Sequence, residues 1–349
     1  MIESNMPIES NKPIVTPRPR AIYWIASFAL AGVLLYYSLR GIEWERVWSI
    51  VRGARTPAVA LALALFSLTL FLRAFRWRVL LSAEGEASIP LTFWATSAGY
   101  LGNNLLPARA GEVVRTMMIS SQTGMSRAFV LTTALSERVV DAIALITISG
   151  TVLLTIPERP GWLAGAARPF AILGLVGVAC IALVPAYESL WFKLLARLPV
   201  PDRLRQKVEH ILSQALQGIR SFHDADRLLR FLGLTAVIWF LDGVTTVLCA
   251  YAIGLSIPLP VAFLLVTGLG LGSALPSTPG YVGIYQFVAV SVLTPFGFSR
   301  TDSIAYILFY QALSYLVVLS WGLIAVGQQR GTLFPKAAVQ PAVDVARPE

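Results

Sequence analysis

Residues 99–115 read GYLGNNLLPARAGEVVR, and this stretch interrupts an apolar region that extends over about 89–123. Asn103, Asn104 and Pro107 break the apolar run near its middle and leave an arm of roughly 15 residues on either side. A helix needs about 20 apolar residues to cross a bilayer, so each arm is too short. The break therefore predicts a re-entrant helical hairpin rather than two full spans.

A second apolar region, about 259–296, carries an interruption of the same kind at residues 276–280, which read PSTPG. Its two arms are also short, so it predicts a second re-entrant hairpin. The other apolar regions approach or exceed the roughly 20 residues that a full span requires. These predicted spans are 21–39, 57–80, 127–156, 167–187, 229–253 and 302–327.

The composition excludes an ordinary soluble domain. Hydrophobic residues make up 56% of the 349 positions and charged residues only 13%, whereas soluble proteins carry about 25% charged residues. In lipid the backbone must satisfy its own hydrogen bonds, and the long uninterrupted apolar runs favour helices over a β-barrel. We interpret the net charge of +9 as basic loops that face anionic headgroups, and we expect no nucleic-acid partner.

Basic residues set the expected orientation. Segment 188–230 is rich in Arg and Lys, so the positive-inside rule places it in the cytoplasm. Counting spans from there puts the tails 1–20 and 328–349 in the cytoplasm as well, in a multi-pass protein of the plasma (inner) membrane. Loop 40–56 is then outside, although it contains four Arg and two Glu. Residues 190–228 are predicted to include an amphipathic helix on the inner leaflet, with a linker helix free of the membrane as the alternative.

The order of the elements predicts an internal repeat. Residues 21–156 read span, span, hairpin, span from the inside, and residues 167–327 read the same order from the outside. This is an inverted-topology repeat, an arrangement common among transporters. The predicted fold class is an all-α polytopic membrane protein with about six full spans and two re-entrant helical hairpins.

The first hairpin contains a candidate site for an anionic headgroup. Asn103 or Asn104 can cap the helix that follows the break, and the free N–H groups and dipole at its start favour an anion. Arg109 and Arg115 add full charges, and Glu112 is three residues from each of them, so it can pair with either. One interpretation is a phosphate site for a lipid headgroup. The alternative is a self-neutralising cluster that holds the hairpin together.

The second hairpin offers a similar arrangement without charge. Ser277 or Thr278 can cap the helix that follows its break, while Gly280 and Gly283 allow close approach of the backbone. If the two helix starts point toward each other, both dipoles favour a phosphate between them. The alternative is that proline and glycine only form a tight turn. Uncharged polar contacts are offered by Tyr281, Tyr285 and Gln286.

A third group of ionisable residues lies inside the predicted span 127–156. At a rise of 1.5 Å per residue, Glu137 and Asp141 lie about 15 and 21 Å from the start of that helix, in the middle third of the bilayer. They share one helical face, and Arg138 can reach Asp141 but can neutralise only one of the two carboxylates. The other carboxylate is expected to pair with Arg76 or with an arginine of the first hairpin, or to carry protons. A structural ion-pair network is the alternative.

Two further expectations concern charges in other spans. Arg73, Arg76 and Arg78 lie near the end of span 57–80, where their side chains can extend to the headgroups. Asp242 is expected to be a lone acid inside span 229–253 and is a weaker functional candidate.

No nucleotide-binding, hydrolase, metal or redox motif is found in the sequence, so neither a cofactor nor a metal is expected. The first hypothesis is a flippase or transporter for an amphiphile with an anionic headgroup, whose partners are membrane lipids or a lipid-linked substrate. An intramembrane enzyme is the second hypothesis, with Glu137 and Asp141 as catalytic acids. The third is a non-catalytic assembly partner of a lipid or glycan biosynthesis enzyme.

The motifs resemble those of a known family. Residues 99–115, together with Glu137-Arg138-x-x-Asp141 and Pro276-x-x-Pro279-Gly280-x-x-Gly283, resemble the transmembrane region of lysylphosphatidylglycerol synthases and of related stand-alone flippase-like proteins. The resemblance implies that roughly 20–327 translocates a lipid or lipid-linked substrate. It also implies that aminoacyl transfer, which belongs to a separate cytosolic domain in that family, is not an activity of this chain. Tyr285-Gln286 departs from the Glu that the family often has near this position.

Overall fold

The computed structural model describes residues 19–106, 110–155, 224–273 and 279–328, with scattered positions between 165 and 222. All regular elements in these residues are helical, as the sequence predicts. The helices are α1 (Pro19–Leu39), α2 (Trp44–Arg52), α3 (Thr56–Leu81), α4 (Ile89–Leu105), α5 (Gly111–Thr123), α6 (Arg127–Thr155), α7 (Ala225–Ala252), α8 (Leu259–Gly272), α9 (Ile284–Leu293) and α10 (Arg300–Gln328), with 3-10 turns at Pro279–Tyr281 and Thr294–Phe296. The predicted segments that lie wholly or mostly outside the described residues are 1–20, 167–187, 190–228 and 328–349.

Three described helices are long and apolar enough to cross a membrane. They are α3, α7 and α10, with 26, 28 and 29 residues, and they match three predicted spans closely. Only 28%, 44% and 33% of their most apolar stretches are buried. The remaining apolar side chains face outward, which is typical of a surface covered by lipid. Helix α6 is equally long, at 29 residues, but carries ionisable side chains in its middle.

The centre of the fold is an antiparallel pair formed by α3 and α7. The backbone N–H of Arg55, just before α3, donates to the carbonyl oxygen of Ala252 at the end of α7, at 2.8 Å. Pro57 stands in the first turn of α3, where its missing N–H costs no helical hydrogen bond. A large apolar core joins this pair to α8, α9 and α10.

Helices α4 and α5 form the first helical hairpin. A Cβ on Gly111 would lie 1.8 Å from the carbonyl oxygen of Gly99, and a Cβ on Gly102 would lie 2.8 Å from the Cα of Gly111. Glycine is therefore required for the two backbones to approach so closely. At the other end of the hairpin, the N–H of Ser126 donates to Glu84 Oε1 at 3.3 Å. The hairpin thus begins and ends at the same end of the molecule.

Helices α8 and α9 form the second helical hairpin. A Cβ on Gly272 would lie 2.9 Å from Ile284, and a Cβ on Gly268 would lie 2.7 Å from Val288, which is the register of an antiparallel pair. The arms of the two hairpins have 17, 13, 14 and 10 residues, each shorter than a full span.

The two hairpins meet inside the helical bundle. The 3-10 turn Pro279–Tyr281, which follows the break in the second hairpin, contacts α4 of the first. Helix α4 also packs against α10, and helix α8 packs against α6. Each hairpin therefore contacts the long helix that follows the other hairpin in the chain.

Helix α2 was not predicted, because loop 40–56 contains too many charged residues to resemble a membrane element. Only one side of this short helix is apolar, and it buries Val47 against α10. Trp44 and Trp48 remain exposed. Arg46 binds Asp302 of α10 at 3.0 Å. Tertiary contact with α10 therefore stabilises a helix that is too short to be stable alone.

Candidate functional site

Arg76 of α3 binds both carboxylates of α6. Its guanidinium donates to Glu137 Oε1 at 2.7 and 3.2 Å and to the two oxygens of Asp141 at 2.6 and 2.9 Å. It also donates to Thr235 Oγ1 of α7 at 3.0 Å. Arg76 is fully buried, so the expectation that it extends to the headgroups was wrong. The reason is that two carboxylates within reach satisfy the guanidinium better than the distant interface does.

Arg115 of α5 connects the first hairpin to the same acid. Its Nη1 donates to Glu137 Oε2 at 3.1 Å, and its Nε lies 2.5 Å from Glu112 Oε2. The guanidinium also stacks over the Trp77 ring, 4.4 Å from the centroid. Glu137 therefore holds one arginine on each of its oxygens and ties α3, α5 and α6 together.

Arg138 points away from Asp141 and toward the first hairpin. Its Nε donates to Glu112 Oε1 at 3.1 Å, and its guanidinium lies over the ring of Tyr100 on α4. The predicted pair between Arg138 and Asp141 was thus wrong. Arg76 occupies both oxygens of Asp141, and Arg138 reaches across to α5 instead.

Asp242 of α7 is not a lone acid, because it forms an ion pair with Arg73 of α3. The Arg73 guanidinium also lies over the Trp239 ring, 4.9 Å from the centroid. The Trp239 indole N–H donates to Asp141 Oδ1 at 3.2 Å, which connects this pair to the carboxylates of α6. Arg73 therefore points into the bundle, and its expected extension to the headgroups was also wrong.

These residues form one charge-balanced cluster, which we call the ionic network. Its members are Arg73, Arg76, Arg115, Arg138, Glu112, Glu137, Asp141 and Asp242. The four cations and four anions cancel within the described part of the chain. A buried charge is tolerated only when it is paired, so each member depends on its partners. The self-neutralising alternative for the first hairpin thus describes Glu112 and Arg115 well.

A cavity of about 270 Å³ lies beside the ionic network, where the two hairpins meet. Its charged wall, from α3, α6 and α7, consists of Arg73, Arg138, Asp141 and Asp242. Its neutral wall, from the second hairpin and α10, consists of Tyr281, Tyr285, Tyr310, Gln311 and Tyr315. Helix α4 contributes Tyr100, Asn103 and Asn104 between the two walls. Both asparagines lie in the last turn of α4, and the N-cap of α5 is Ala110, so the expectation that Asn103 or Asn104 caps that helix was wrong. Apolar side chains such as Leu145, Val266 and Val317 complete the lining, so the cavity combines polar groups with apolar surface.

Amide hydrogen bonds build the neutral wall. Gln286 Oε1 accepts from the N–H of Gly283 at 2.8 Å, and its Nε2 donates to Gln311 Oε1 at 2.5 Å. Gln311 Nε2 in turn donates to the carbonyl oxygen of Gly280 at 3.2 Å and to the Tyr315 hydroxyl at 3.1 Å. These bonds attach the break of the second hairpin to α10 without any charge.

The predicted site residues divide into three groups. Asn103, Asn104, Arg138, Asp141 and Tyr285 line the cavity. Arg76, Glu112, Arg115 and Glu137 belong to the ionic network but do not line the cavity, while Gly280 supports the neutral wall through Gln311. The residues outside the described part of the chain are Arg109, Ser277 and Thr278.

Several residues that line the cavity were not predicted as site residues from the sequence. Gln311 and Tyr315 lie four residues apart in an apolar span, so their spacing on one helical face could have indicated a polar surface. Arg73 and Tyr100 gave no such signal, because their partners are far away in the sequence. In the described residues, no group of three or more His, Cys, Asp or Glu side chains is placed to hold a metal ion.

Comparisons with known proteins agree on a membrane family. Residues 24–322 match the lysylphosphatidylglycerol synthase TM region. A UPF0104 membrane protein of Methanothermobacter thermautotrophicus is 26% identical, over 86% of this chain and 92% of its own length. A UPF0104 membrane protein of Methanocaldococcus jannaschii is 22% identical, over 64% of this chain and 91% of its own length.

A longer relative carries the name of an enzyme. Glycosyltransferase AglD of Haloferax volcanii is 24% identical over 80% of this chain, but the match covers only 51% of AglD. This chain therefore spans about half the length of that protein. The family match and the long apolar helices together describe a multi-pass membrane protein.

Proposed function

Since the chain belongs to the family of the lysylphosphatidylglycerol synthase transmembrane region, we propose that it is a flippase that moves a lipid or lipid-linked substrate with an anionic headgroup across the membrane. The observation that carries this proposal is the cavity between the two hairpins, one wall of which carries ionised side chains. Ionised groups inside an apolar bundle are expensive, and in membrane proteins they commonly mark a substrate or ion pathway.

The exposure of Arg138 on the charged wall favours a ligand over a purely structural role. A cluster that only held helices together could be buried completely, as Arg76, Arg115 and Glu137 are. The Arg138 side chain, by contrast, is 29% exposed. It lines the cavity together with Arg73, Asp141 and Asp242. The ionic network thus has a structural part behind the wall and a part that a headgroup can reach.

The lining of the cavity supports a headgroup site shared by the two hairpins. Asn103 and Asn104, in the last turn of α4, line the cavity with Arg138, and Tyr285 lines it from the second hairpin. Arg109 follows the first break in the sequence, so we propose that it supplies the phosphate contact. The acid in the first turn of α5 is Glu112, which Arg115 and Arg138 neutralise.

We also propose that both hairpins are re-entrant and enter from opposite leaflets of the plasma membrane. Their short arms and antiparallel packing support this proposal. The reciprocal contacts of α4 with α10 and of α8 with α6 are those expected of two inverted repeats, 21–156 and 167–327. Both termini would then be cytoplasmic.

Cysteine labelling from one side of the membrane tests the first hairpin. Glu86 and Gln122 are exposed at its two ends. In Glu86→Cys and Gln122→Cys variants, both thiols should react with an impermeant maleimide from the same side, and a thiol at the break, in Leu105→Cys, should not react from the opposite side. Reaction of the Leu105→Cys thiol from the opposite side would show that both arms cross completely and would contradict the re-entrant hairpin.

Dithionite quenching of fluorescent lipids in proteoliposomes tests transport. We expect the unchanged protein to expose inner-leaflet phospholipid to the quencher faster than empty liposomes do. Arg138→Gln should slow this transfer roughly tenfold, because it removes a charge-assisted contact worth about 1.5–3 kcal/mol. Arg230→Gln is the matched control, since Arg230 pairs with Asp226 at 2.7 Å on an exposed helical turn. Equal rates for the protein and for empty liposomes across a panel of anionic lipids would reject the proposal.

The similarity to AglD supports a second candidate, a role beside or within a glycan biosynthesis enzyme. An intramembrane enzyme would use the acids of the charged wall, and purified protein would form a new product visible by thin-layer chromatography. An assembly partner would instead co-purify with a glycosyltransferase and would tolerate Arg138→Gln. Transfer of lipid by the purified chain alone would favour the flippase over both.

A further inference from the structure

We infer that the cavity accepts a polyhydroxylated ring, such as a sugar, as part of the headgroup of its lipid ligand. This inference rests on the proposed function, because it names the chemical class of the substrate that the same cavity would hold. It is argued from the charge balance, the aromatic wall and the size of the cavity.

The charges of the cavity are already paired. Each ionised residue of the charged wall has an oppositely charged partner in the described part of the chain. The pairs are Arg73–Asp242, Asp141–Arg76 and Arg138–Glu112. The charged wall therefore does not need a charged ligand to be electrically neutral. It does present both donors and acceptors, which suits hydroxyl groups, because a hydroxyl donates one hydrogen bond and accepts others.

The neutral wall presents an aromatic platform. The rings of Tyr281 and Tyr285 stack almost parallel, with centroids 5.1 Å apart and an interplanar angle of 11°. Both tyrosines line the cavity. A sugar ring has an apolar face of C–H groups, which packs on aromatic rings while its hydroxyls bond to groups around the rim. Gln311 and Tyr315, on the same wall, supply amide and phenol groups for such bonds.

The backbone holds Tyr281 in an unusual conformation. Its φ is +57°, and it is the one non-glycine residue with positive φ among the described residues. A left-handed conformation is unfavourable for a residue with a side chain, so the surrounding contacts must fix this position. This strained residue lies at the break of the second hairpin and belongs to the stacked tyrosine pair that lines the cavity.

The size of the cavity suits a headgroup rather than acyl chains. Pockets that enclose a drug-sized molecule have volumes of about 300–1,000 Å³, and this cavity, at about 270 Å³, lies just below that range. One sugar ring with its linkage is the scale of ligand that fits, with the lipid tails outside in the bilayer.

Binding and transport measured on matched lipids test the inference. Phosphatidylinositol carries both a polyhydroxylated ring and a phosphate, hexosyl diacylglycerol carries the ring alone, and phosphatidylglycerol carries the phosphate with an acyclic polyol. Native mass spectrometry of the purified full chain reports binding, and dithionite quenching reports transfer. We expect phosphatidylinositol, which carries both groups, to bind roughly tenfold more tightly than phosphatidylglycerol, a difference of about 1.4 kcal/mol. Hexosyl diacylglycerol should bind more weakly than phosphatidylinositol, because it lacks the phosphate. Tyr285→Leu removes one ring of the stacked pair and should abolish the preference for a ring-bearing headgroup.

The control and the contrary outcomes separate the two proposals. Tyr36→Leu removes one ring of an exposed aromatic pair outside the cavity and should leave the preference unchanged. Competition on the unchanged protein, by inositol phosphate against inorganic phosphate, keeps the test valid if Tyr285→Leu does not fold. Equal binding of all three lipids, or preferential binding of phosphatidylcholine, would overturn the sugar inference and leave the flippase open. Ring preference without transfer would uphold the inference and reject the flippase.

Discussion

The two walls of the cavity perform the same task with different chemistry. The charged wall fixes α3, α6 and α7 through buried ion pairs, whereas the neutral wall fixes the second hairpin to α10 through glutamine amides and tyrosine hydroxyls. Ion pairs in an apolar medium are strong but depend on every partner, while amide bonds are weaker and less coupled. We therefore expect the charged wall to be the less tolerant of substitution.

Glu137→Gln should have the largest effect on stability. The change removes the negative charge that pairs with both Arg76 and Arg115, so a buried positive charge becomes unpaired. We expect a loss of about 3–5 kcal/mol, measured as a lower unfolding temperature in nanodiscs.

The matched control for that change is Asp226→Asn. Its pair with Arg230 has both side chains about 70% exposed, and such a pair contributes at most about 1 kcal/mol. If the two variants lost the same stability, the ionic network would not be the support of the charged wall.

Gly111→Ala should have the next largest effect, because the new methyl group would overlap the carbonyl oxygen of Gly99. Separating α4 from α5 would also displace Asn103, and we expect a loss of about 3 kcal/mol. The same unfolding measurement checks it. Gly233→Ala, in α7 with open space around the new methyl, should instead stabilise by up to about 1 kcal/mol. A neutral Gly111→Ala would mean that the hairpin does not require this close approach.

Gln311→Leu should have a smaller effect on stability than either of these changes. It removes three neutral hydrogen bonds: the acceptor for Gln286 and the donor to the Gly280 carbonyl, which together hold the second break, and the donor to the Tyr315 hydroxyl. We expect a loss of about 2 kcal/mol. The control is Thr147→Val, which removes an exposed hydroxyl that donates to the carbonyl oxygen of Ile143 one turn earlier in α6. It should change stability by less than about 0.5 kcal/mol. If Gln311→Leu lost more stability than Glu137→Gln, the neutral wall would be the less tolerant of substitution.

Much of the fold could be predicted from hydrophobic length and local breaks. The bounds of α3, α7 and α10 follow the apolar runs. Helix α4 continues through Asn103 and Asn104 to Leu105 and α5 begins at Gly111, so the first break lies a few residues later than the Gly-Asn-Asn sequence predicts. Helix α2 could not be predicted in this way, because its single buried residue, Val47, gains stability only from contact with α10. The span 167–187 and the amphipathic segment 190–228 stay predictions.

The candidate site was only partly predictable. The sequence indicated that Glu112, Arg115, Glu137 and Asp141 lie in the membrane region and need partners. Helical spacing suggested Asp141 for Arg138, but spacing along one helix cannot report what a neighbouring helix offers. In the structure Arg138 binds Glu112 on another helix, and Arg76 takes its place at Asp141.

The sequence by itself determined that this chain is helical, that lipid surrounds it, and where its helices break, because helix length and hydrophobicity are properties of contiguous residues. The tertiary structure alone decided which charges meet. Arg76 and Asp141 are 65 residues apart, and Arg73 and Asp242 are 169 apart. Such pairs depend on how helices pack and on which way each side chain points, and both are set only when the whole bundle assembles.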